Sequence, residues 1–259
     1  EIISADMRDL FSKAGISHLL AISGLHLSIV SILFFFLFYK VLSFFPLLSI
    51  SGKSKKIAGI LSLFPIIGYA GFSGFSPSTQ RALIMIIVLL FSFVSEREKD
   101  IVSSLSVAGI LILALDSAAF FSISFQLSFM AVAFIAAGAS LLKKNFLTQK
   151  KAVISKIGLM VCATFFASLG TFPLTAHYFN LVSLIAVISN FIFIPVIGFI
   201  VLPLGLISLV CFSYFPLVAL FLINVCNQIL LVSIIVLEFL ISIPFSWSRI
   251  TNLQWNKIT

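Results

Sequence analysis

The chain consists of long runs of apolar residues separated by short polar connections. Runs such as 84–91 and 217–223 are apolar at nearly every position, without the alternation between lipid-facing and lumen-facing residues that marks a membrane β-barrel strand. A membrane-spanning helix needs about 20 consecutive apolar residues. The pattern therefore predicts an all-α fold, a polytopic transmembrane helical bundle with about eight spans. The apolar segments lie at about 16–39, 57–74, 78–95, 101–115, 118–142, 153–172, 182–210 and 216–243.

The seventh segment departs from a simple span. Pro195 and Pro203 interrupt residues 182–210, and proline removes a backbone hydrogen bond and kinks a helix. The segment is therefore either one kinked span or two half-helices, and we expect broken or kinked helices in the bundle. A second full crossing here would move the end of the chain to the other side of the membrane.

The pattern divides the chain into three parts. Residues 1–15 mix apolar and charged positions in the way of an interfacial amphipathic segment. Residues 16–243 form the transmembrane domain, and residues 244–259 form a polar tail. Because the sequence begins with Glu1 and shows no cleavable signal peptide, we expect an excerpt from a longer protein.

The composition agrees with membrane insertion. The chain is 61% hydrophobic and 9% charged, whereas soluble domains carry about 45–50% apolar and about 25% charged residues. These proportions exclude a soluble enzyme, a coiled coil, a disordered tail and a secreted disulfide scaffold. Cys162, Cys211 and Cys226 lie in separate apolar runs without CxxC spacing, so they indicate neither a metal site nor a redox pair.

The basic residues predict the orientation of the spans. Eleven of them fall on one side of the alternating spans and four on the other, and basic residues collect in cytoplasmic loops. With eight spans, both termini lie outside the bacterial cytoplasmic membrane. The cytoplasmic set is Lys40, Lys53, Lys55, Lys56, Arg97, Lys99, Lys143, Lys144, Lys150, Lys151 and Lys156, and the outer set is Arg8, Lys13, Arg249 and Lys257.

Arg81 is the most informative polar residue within the spans, because a charge at mid-bilayer costs about 2.5–3.5 kcal/mol on insertion scales. It lies one turn into the third segment, where Ser76 is a predicted N-cap followed by proline at the first helical position. The free N–H groups at this helix N-terminus, around Ser76, Ser78 and Thr79, form a potential anion site with Arg81. The alternative is that Arg81 extends its side chain to the outer headgroups.

Amide side chains form the second polar group within the apolar segments. Asn224, Asn227 and Gln228 have i, i+3 and i+4 spacing and share one helix face. Such amides usually form hydrogen bonds between helices, and the alternative is a hydrated pore face. Gln126 and Asn190 have the same two interpretations.

The histidines carry no predicted metal site. His18 and His26 are eight residues apart, which places them about 12 Å apart along a continuous helix. Only a break at Ser23 and Gly24 could bring them together. Because no nucleotide-binding loop, HExxH or GxSxG motif occurs either, we predict no cofactor, no metal and no enzymatic activity for this chain.

Several of these stretches together resemble the transmembrane competence domain of the ComEC family. The clearest match holds His18, Ser23, Gly24 and His26 and is similar to the signature segment of that family. The others follow in the order of the family, and the resemblance covers about residues 5–243. The matching stretches are AGISHLLAISGLHLS (14–28), PSTQRALIM (77–85), FQLSFMAV (125–132), FPLTAHYFN (172–180) and SNFIFIPVIGF (189–199).

The resemblance implies an inner-membrane channel that translocates single-stranded DNA into the cytoplasm during natural transformation. Arg81 would contact phosphates, and Gln126, Asn190, Asn224 and Gln228 would give a neutral polar lining from which the strand is released. Members often add an OB-like domain and a metallo-β-lactamase-like domain, proposed to degrade the other strand, but neither occurs in this sequence.

The partners expected from the resemblance are single-stranded DNA, an outer DNA receptor and a cytoplasmic helicase-like translocase, because the chain has no ATP motif of its own. Membrane lipid surrounds the spans, and a homo-oligomer is compatible with the sequence. One alternative function is a small-solute secondary transporter built on discontinuous helices, although no internal repeat supports it. Another is an intramembrane hydrolase, which would need His18 or His26 beside Ser23 as nucleophile.

Overall fold

The computed structural model describes residues 4–20, 24–46, 48, 53–95, 101–146 and 152–249. Within these ranges the chain is mainly helical, and the predicted all-α polytopic fold is confirmed, with two three-residue strands as an addition. In chain order the elements are α1 (Ala5–Lys13), a 3₁₀ turn (Ser17–Leu19), α2 (Gly24–Ser43), α3 (Ser54–Phe72), α4 (Pro77–Val94), α5 (Ile101–Leu115), a 3₁₀ turn (Ser117–Phe121), α6 (Ile123–Phe146), α7 (Ala152–Phe179), β1 (Leu181–Ser183), α8 (Ala186–Phe193), a π-helical segment (Ile194–Val201), α9 (Leu202–Phe212), α10 (Pro216–Ser242) and β2 (Trp247–Arg249).

Seven helical stretches among the described residues are long and apolar enough to cross a membrane. They correspond to the predicted segments except 101–115, where α5 is apolar but has only 15 residues. The predicted start of the first segment at residue 16 was wrong, since α2 begins at Gly24. The described residues between α1 and α2 are not α-helical: Gly15, with the left-handed φ of +74°, ends α1, and Ser17–Leu19 form a 3₁₀ turn.

The interrupted segment 182–210 forms one continuous helical path over Ala186–Phe212. Pro195 lies at the start of the π-helical segment and Pro203 at the start of α9. Proline lacks the N–H group that an α-helix would use and its ring displaces the preceding carbonyl, and a π-helical turn is one way in which a helix accommodates such a change. Of the two forms left open by the sequence, the structure has one continuous helical path and not two separate half-helices.

The two strands form a short antiparallel pair that the apolar pattern did not predict. Leu181 pairs with Arg249 and Ser183 pairs with Trp247. The backbone N–H groups of Leu184 and Ile185 both donate to the carbonyl of Ser246, over 2.9 and 3.2 Å. The first residues of the polar tail are therefore attached to the connection between α7 and α8.

The chain divides into two compact units, one of residues Ile22–Gln126 and the other of Glu1–Ala21 and Leu127–Thr259. In the first of these, α2, α3 and α4 pack around an apolar cluster of Leu27, Ile66, Ala70, Ala82 and Ile86. Small side chains on α3 let the backbones of neighbouring helices approach closely, as is usual in membranes. These side chains recur at positions Ala58, Gly59, Ser62 and Ala70, all buried.

In the other unit, α6 and α7 pack through a reciprocal exchange of glycine and phenylalanine. A Cβ atom added to Gly138 would lie 2.2 Å from the ring of Phe166, and one added to Gly170 would lie 2.6 Å from the ring of Phe134. Each ring therefore occupies the space that a side chain on the opposite helix would need. The spacing of four residues on both helices repeats the contact one turn along.

Candidate functional site

The N-terminus of α4 has the predicted capping structure. Ser76 is the N-cap, its hydroxyl oxygen accepts from the Thr79 N–H, and Pro77 follows in the first turn. The hydroxyl groups bond to one another: Ser76 Oγ lies 2.8 Å from Thr79 Oγ1 and 3.1 Å from Ser78 Oγ. The three predicted anion-site hydroxyls are thus brought together, and they already have partners within the loop.

Arg81 is buried, with 5% of its surface exposed, so its side chain does not extend to a headgroup region. Its Nη2 donates a hydrogen bond to Ser124 Oγ, while its buried Nε has no hydrogen-bond partner. Among the described residues no carboxylate forms an ion pair with it; the ion pairs found there involve Asp9. Within the described part of the chain, the guanidinium is a buried cation with a single neutral partner.

Ser124 places this guanidinium at the N-terminus of α6. It is the second residue of the helix and is exposed. The preceding Ser122 is extended and its Oγ accepts from the N–H of Phe125 over 3.2 Å. The nearest carboxylate along the chain, Asp116, is exposed and accepts from the Ala118 N–H over 3.0 Å, which caps the 3₁₀ turn.

Gln126 is not brought to Arg81 in the same way. It lies two residues after Ser124, and residues at i and i+2 of a helix do not face each other. It is half-buried, and its Nε2 donates to the carbonyl of Phe120 over 3.2 Å. Gln126 is therefore engaged with the turn that precedes α6.

The remaining predicted lining residues lie in the other unit. Asn190 on α8 is 8% exposed, and its Oδ1 has no hydrogen-bond partner. Asn224 and Gln228 on α10 are exposed. Gln228 borders an open groove of about 330 Å³ whose other lining residues are apolar except for one serine, namely Ile192, Phe193, Val196, Ile229, Val232, Ser233 and Val236.

The signature segment contributes one buried polar side chain. His26, in the first turn of α2, is 7% exposed, whereas His18 is exposed in the 3₁₀ turn. Gly24 is the first residue of α2, and a Cβ added to it would lie 3.2 Å from Ala82 Cβ. Ser23 lies outside the described residues. No group of three or more potential metal ligands occurs in the part of the chain that the structure describes.

A charged cluster at the two ends of the chain was missed by the sequence analysis. The Asp9 carboxylate lies 2.6 Å from Lys13 Nζ and 3.1 Å from Arg249 Nη2. Lys13 Nζ also lies 4.6 Å from the ring centre of Trp247. The hydrogen bond from Lys13 lowers the pKa of Asp9, and the positive charges of Lys13 and Arg249 act in the same direction against a smaller effect of burial. Only the i, i+4 spacing of Asp9 and Lys13 is visible in the sequence.

Comparison with known proteins gives one family and two relatives. The model of a family described as "Competence protein" matches residues 1–258. "ComE operon protein 3" of Bacillus subtilis (strain 168) is 29% identical over 193 residues, which are 74% of this chain and 23% of that protein. "Recombination protein 2" of Haemophilus influenzae is 28% identical over 199 residues, which are 75% of this chain and 25% of that protein. The chain thus spans about a quarter of the length of these relatives, and no solved structure matches it.

Proposed function

Because the chain belongs to the competence protein family, we propose that it forms the channel through which single-stranded DNA crosses the inner membrane during natural transformation. The observation that carries this proposal is the family match over residues 1–258. Seven long apolar helices make the chain a multi-pass membrane protein, as a channel requires. The comparisons do not support the secondary-transporter alternative, since both relatives and the family model are named for competence or recombination.

The polar residues of the spans have the chemistry that a DNA strand needs. Each nucleotide carries a negative charge, and sequence-independent binding of single strands relies on cationic contacts to the phosphates. Arg81 is the buried cation, and its free Nε–H is a donor for a phosphate oxygen. Gln126, Asn190, Asn224 and Gln228 supply neutral groups, and weak contacts of this kind allow a conducted ion to leave again.

The contacts at the chain ends support a topology with both termini on one side. α1, β1 and β2 contact one another through the Asp9–Arg249 ion pair and the strand pair. The number of crossings between α1 and β2 must then be even. Seven long helices satisfy this condition only if the short helix α5 also crosses, and the basic residues favour the outer face for the two ends.

The domain division and partners follow from the same function. Residues 1–15 would lie at the outer membrane surface, residues 16–243 would form the channel, and residues 244–259 would lead towards a further domain that carries any nuclease activity. An outer DNA receptor would deliver the strand and a cytoplasmic helicase-like translocase would pull it. A homo-oligomer is compatible with the same function.

The test measures uptake of labelled DNA by cells from which the gene has been deleted, and by the same cells after complementation with full-length wild-type or variant genes. Gene deletion should abolish uptake, and Arg81→Gln at normal abundance should lower it at least about tenfold, because a charge-assisted hydrogen bond contributes about 1.5–3 kcal/mol. Lys53→Gln removes an exposed cation and serves as the control. Uptake that survives gene deletion refutes the channel, and unchanged uptake with Arg81→Gln refutes the role of Arg81.

A further inference from the structure

We propose that Ser124 is a positioning residue for Arg81, and that the first turn of α6 and the Arg81 guanidinium together hold a phosphate oxyanion. This inference rests on the proposed function and adds a residue and a second helix to it. The anion site predicted from the sequence lies at the N-terminus of α4, around Ser76, Ser78 and Thr79. The contacts point instead to the N-terminus of α6.

The Arg81 guanidinium has hydrogen-bond donors that are not used. It carries five N–H donors, and its hydrogen bond goes to Ser124. Its Nε is buried without a partner although the residue is 5% exposed. A buried donor without an acceptor is costly, so an acceptor from a ligand would stabilise this arrangement.

The Arg81 guanidinium lies in positive electrostatic surroundings. A helix N-terminus carries about half a positive charge, and α6 has 24 residues. The Arg81 guanidinium meets this end through Ser124, so two positive groups adjoin, and no carboxylate among the described residues forms an ion pair with Arg81. An oxyanion is the ligand that both groups favour.

The residue at position 124 is a neutral serine and not an acidic residue. A serine oxygen accepts a hydrogen bond and orients the guanidinium without neutralising it, whereas an aspartate would occupy the cation permanently. Ser124 is also exposed, so the residue that holds the guanidinium lies at a surface that a ligand can reach. At the α4 end, by contrast, Thr79 is fully buried and its hydroxyl is bonded to Ser76 and Ser73.

The ligand class is a phosphate group, and two sources offer it: the phosphodiester of a DNA strand and the phosphodiester of a lipid headgroup. Both present singly charged oxygens that accept charge-assisted hydrogen bonds from arginine. The experiments below therefore test the shared chemistry first and separate the sources afterwards.

The first experiment measures DNA uptake with variants of the full-length protein. Ser124→Ala should lower uptake about tenfold, and Ser124→Thr should restore it because the hydroxyl is kept. Ser140→Ala, on the same helix, is the matched control, since Ser140 Oγ donates only within its helix to the carbonyl of Ala137. In an Arg81→Gln background, Ser124→Ala should have no additional effect, because the two act as one unit.

The second experiment measures binding by purified full-length protein in nanodiscs. A phosphodiester oligothymidylate should bind to the wild type about tenfold more tightly than to Ser124→Ala, and its uncharged methylphosphonate analogue should bind equally weakly to both. Replacing phosphatidylcholine by phosphatidylglycerol in the nanodiscs tests whether a charged lipid headgroup binds to the site. Ser124-dependent binding of either charged ligand supports the oxyanion site, and the responding ligand identifies its source.

Two outcomes overturn the inference, and both are separable from failure of the proposed function. If neither charged ligand responds to Ser124→Ala, no oxyanion is held at this place. If Arg81→Gln abolishes uptake but Ser124→Ala leaves it unchanged, Ser124 has no positioning role although the channel stands. If gene deletion leaves uptake unchanged, the channel fails while the nanodisc measurements still decide the anion site.

Discussion

At the scale of single residues, Asp9 is the group whose ionisation joins two distant parts of the chain. Its carboxylate bonds Lys13 within α1 and Arg249 in β2. These cations lower its pKa in the folded protein. A carboxyl group with a lowered folded pKa stabilises the folded state at pH values above its unfolded pKa, and this contribution is lost as the pH falls through the folded pKa. The attachment of β2 is therefore complete at neutral pH and weakens below about pH 3.9.

The fluorescence of Trp247 reports this dependence, because Lys13 lies against its ring. In a Trp255→Phe background, Asp9→Asn at pH 7 should give the Trp247 emission that the unsubstituted protein gives only below about pH 3.9. Asp6→Asn, on the same helix, should leave the emission unchanged. Identical pH profiles for Asp9→Asn and the unsubstituted protein would contradict the role of Asp9.

Residues differ in how far the sequence predicts their roles. The Ser76 cap and Pro77 were predicted because a cap is formed by neighbours a few positions apart. The partner of Arg81 was not, because Ser124 is 43 residues away and serines recur throughout the spans. The Asp9–Arg249 pair could not be predicted from the sequence either, because its residues are 240 positions apart.

At the scale of elements, the contact of α6 with α7 depends on two glycines. Gly138→Ala should destabilise the protein by about 1–3 kcal/mol, because the Phe166 ring fills the space of the new methyl group. Gly205→Ala on α9 is the matched control, since nothing lies within 4 Å of its added Cβ, and alanine favours a helix by about 1 kcal/mol over glycine.

Thermal unfolding of the purified protein in detergent measures this difference. Gly138→Ala should lower the midpoint temperature, and Gly205→Ala should leave it unchanged or raise it. Introducing Phe166→Leu beside Gly138→Ala should recover part of the loss, since the smaller side chain frees the space. Equal midpoints for the two glycine variants would show that the ring contact does not limit stability.

Elements that depend on the local sequence could be predicted, and elements that depend on distant partners could not. The positions of the helices were predicted because each apolar segment is a continuous property of the sequence. The end of α1 depends on the left-handed φ of Gly15, which the residue type allows but does not dictate. The strands were not predicted, because three-residue strands have too short a pattern and Leu181 pairs with the distant Arg249.

At the scale of the whole molecule, the number of crossings is the property that the contacts constrain most. α5 is about 22 Å long at 1.5 Å per residue, which is shorter than the about 30 Å hydrocarbon core. The following 3₁₀ turn of Ser117–Phe121 adds apolar residues, and local thinning of the bilayer would accommodate the remaining difference if α5 crosses. If α5 crosses, Asp116 lies on the same face as α1 and β2.

Cysteine labelling decides this point. In a protein whose Cys162, Cys211 and Cys226 are replaced by alanine, Asp116→Cys should react with a membrane-impermeant maleimide added outside intact cells, whereas Lys53→Cys should react only after permeabilisation. Both native positions are exposed. If Asp116→Cys and Lys53→Cys both react only after permeabilisation, the two positions lie on the same side of the membrane and α5 does not cross.

The contact between α1 and β2 also has a consequence for the order of the helices along the chain. Since Asp9 and Arg249 are joined by a 3.1 Å ion pair, a covalent connection between these ends would need only a short peptide and would not have to pass over the spans. A circularly permuted gene, opened in the connection between α4 and α5, would keep every helix neighbour while changing which helix is synthesised first. We expect such a protein to fold, which would make the packing of this bundle separable from the sequence order in which its helices enter the membrane.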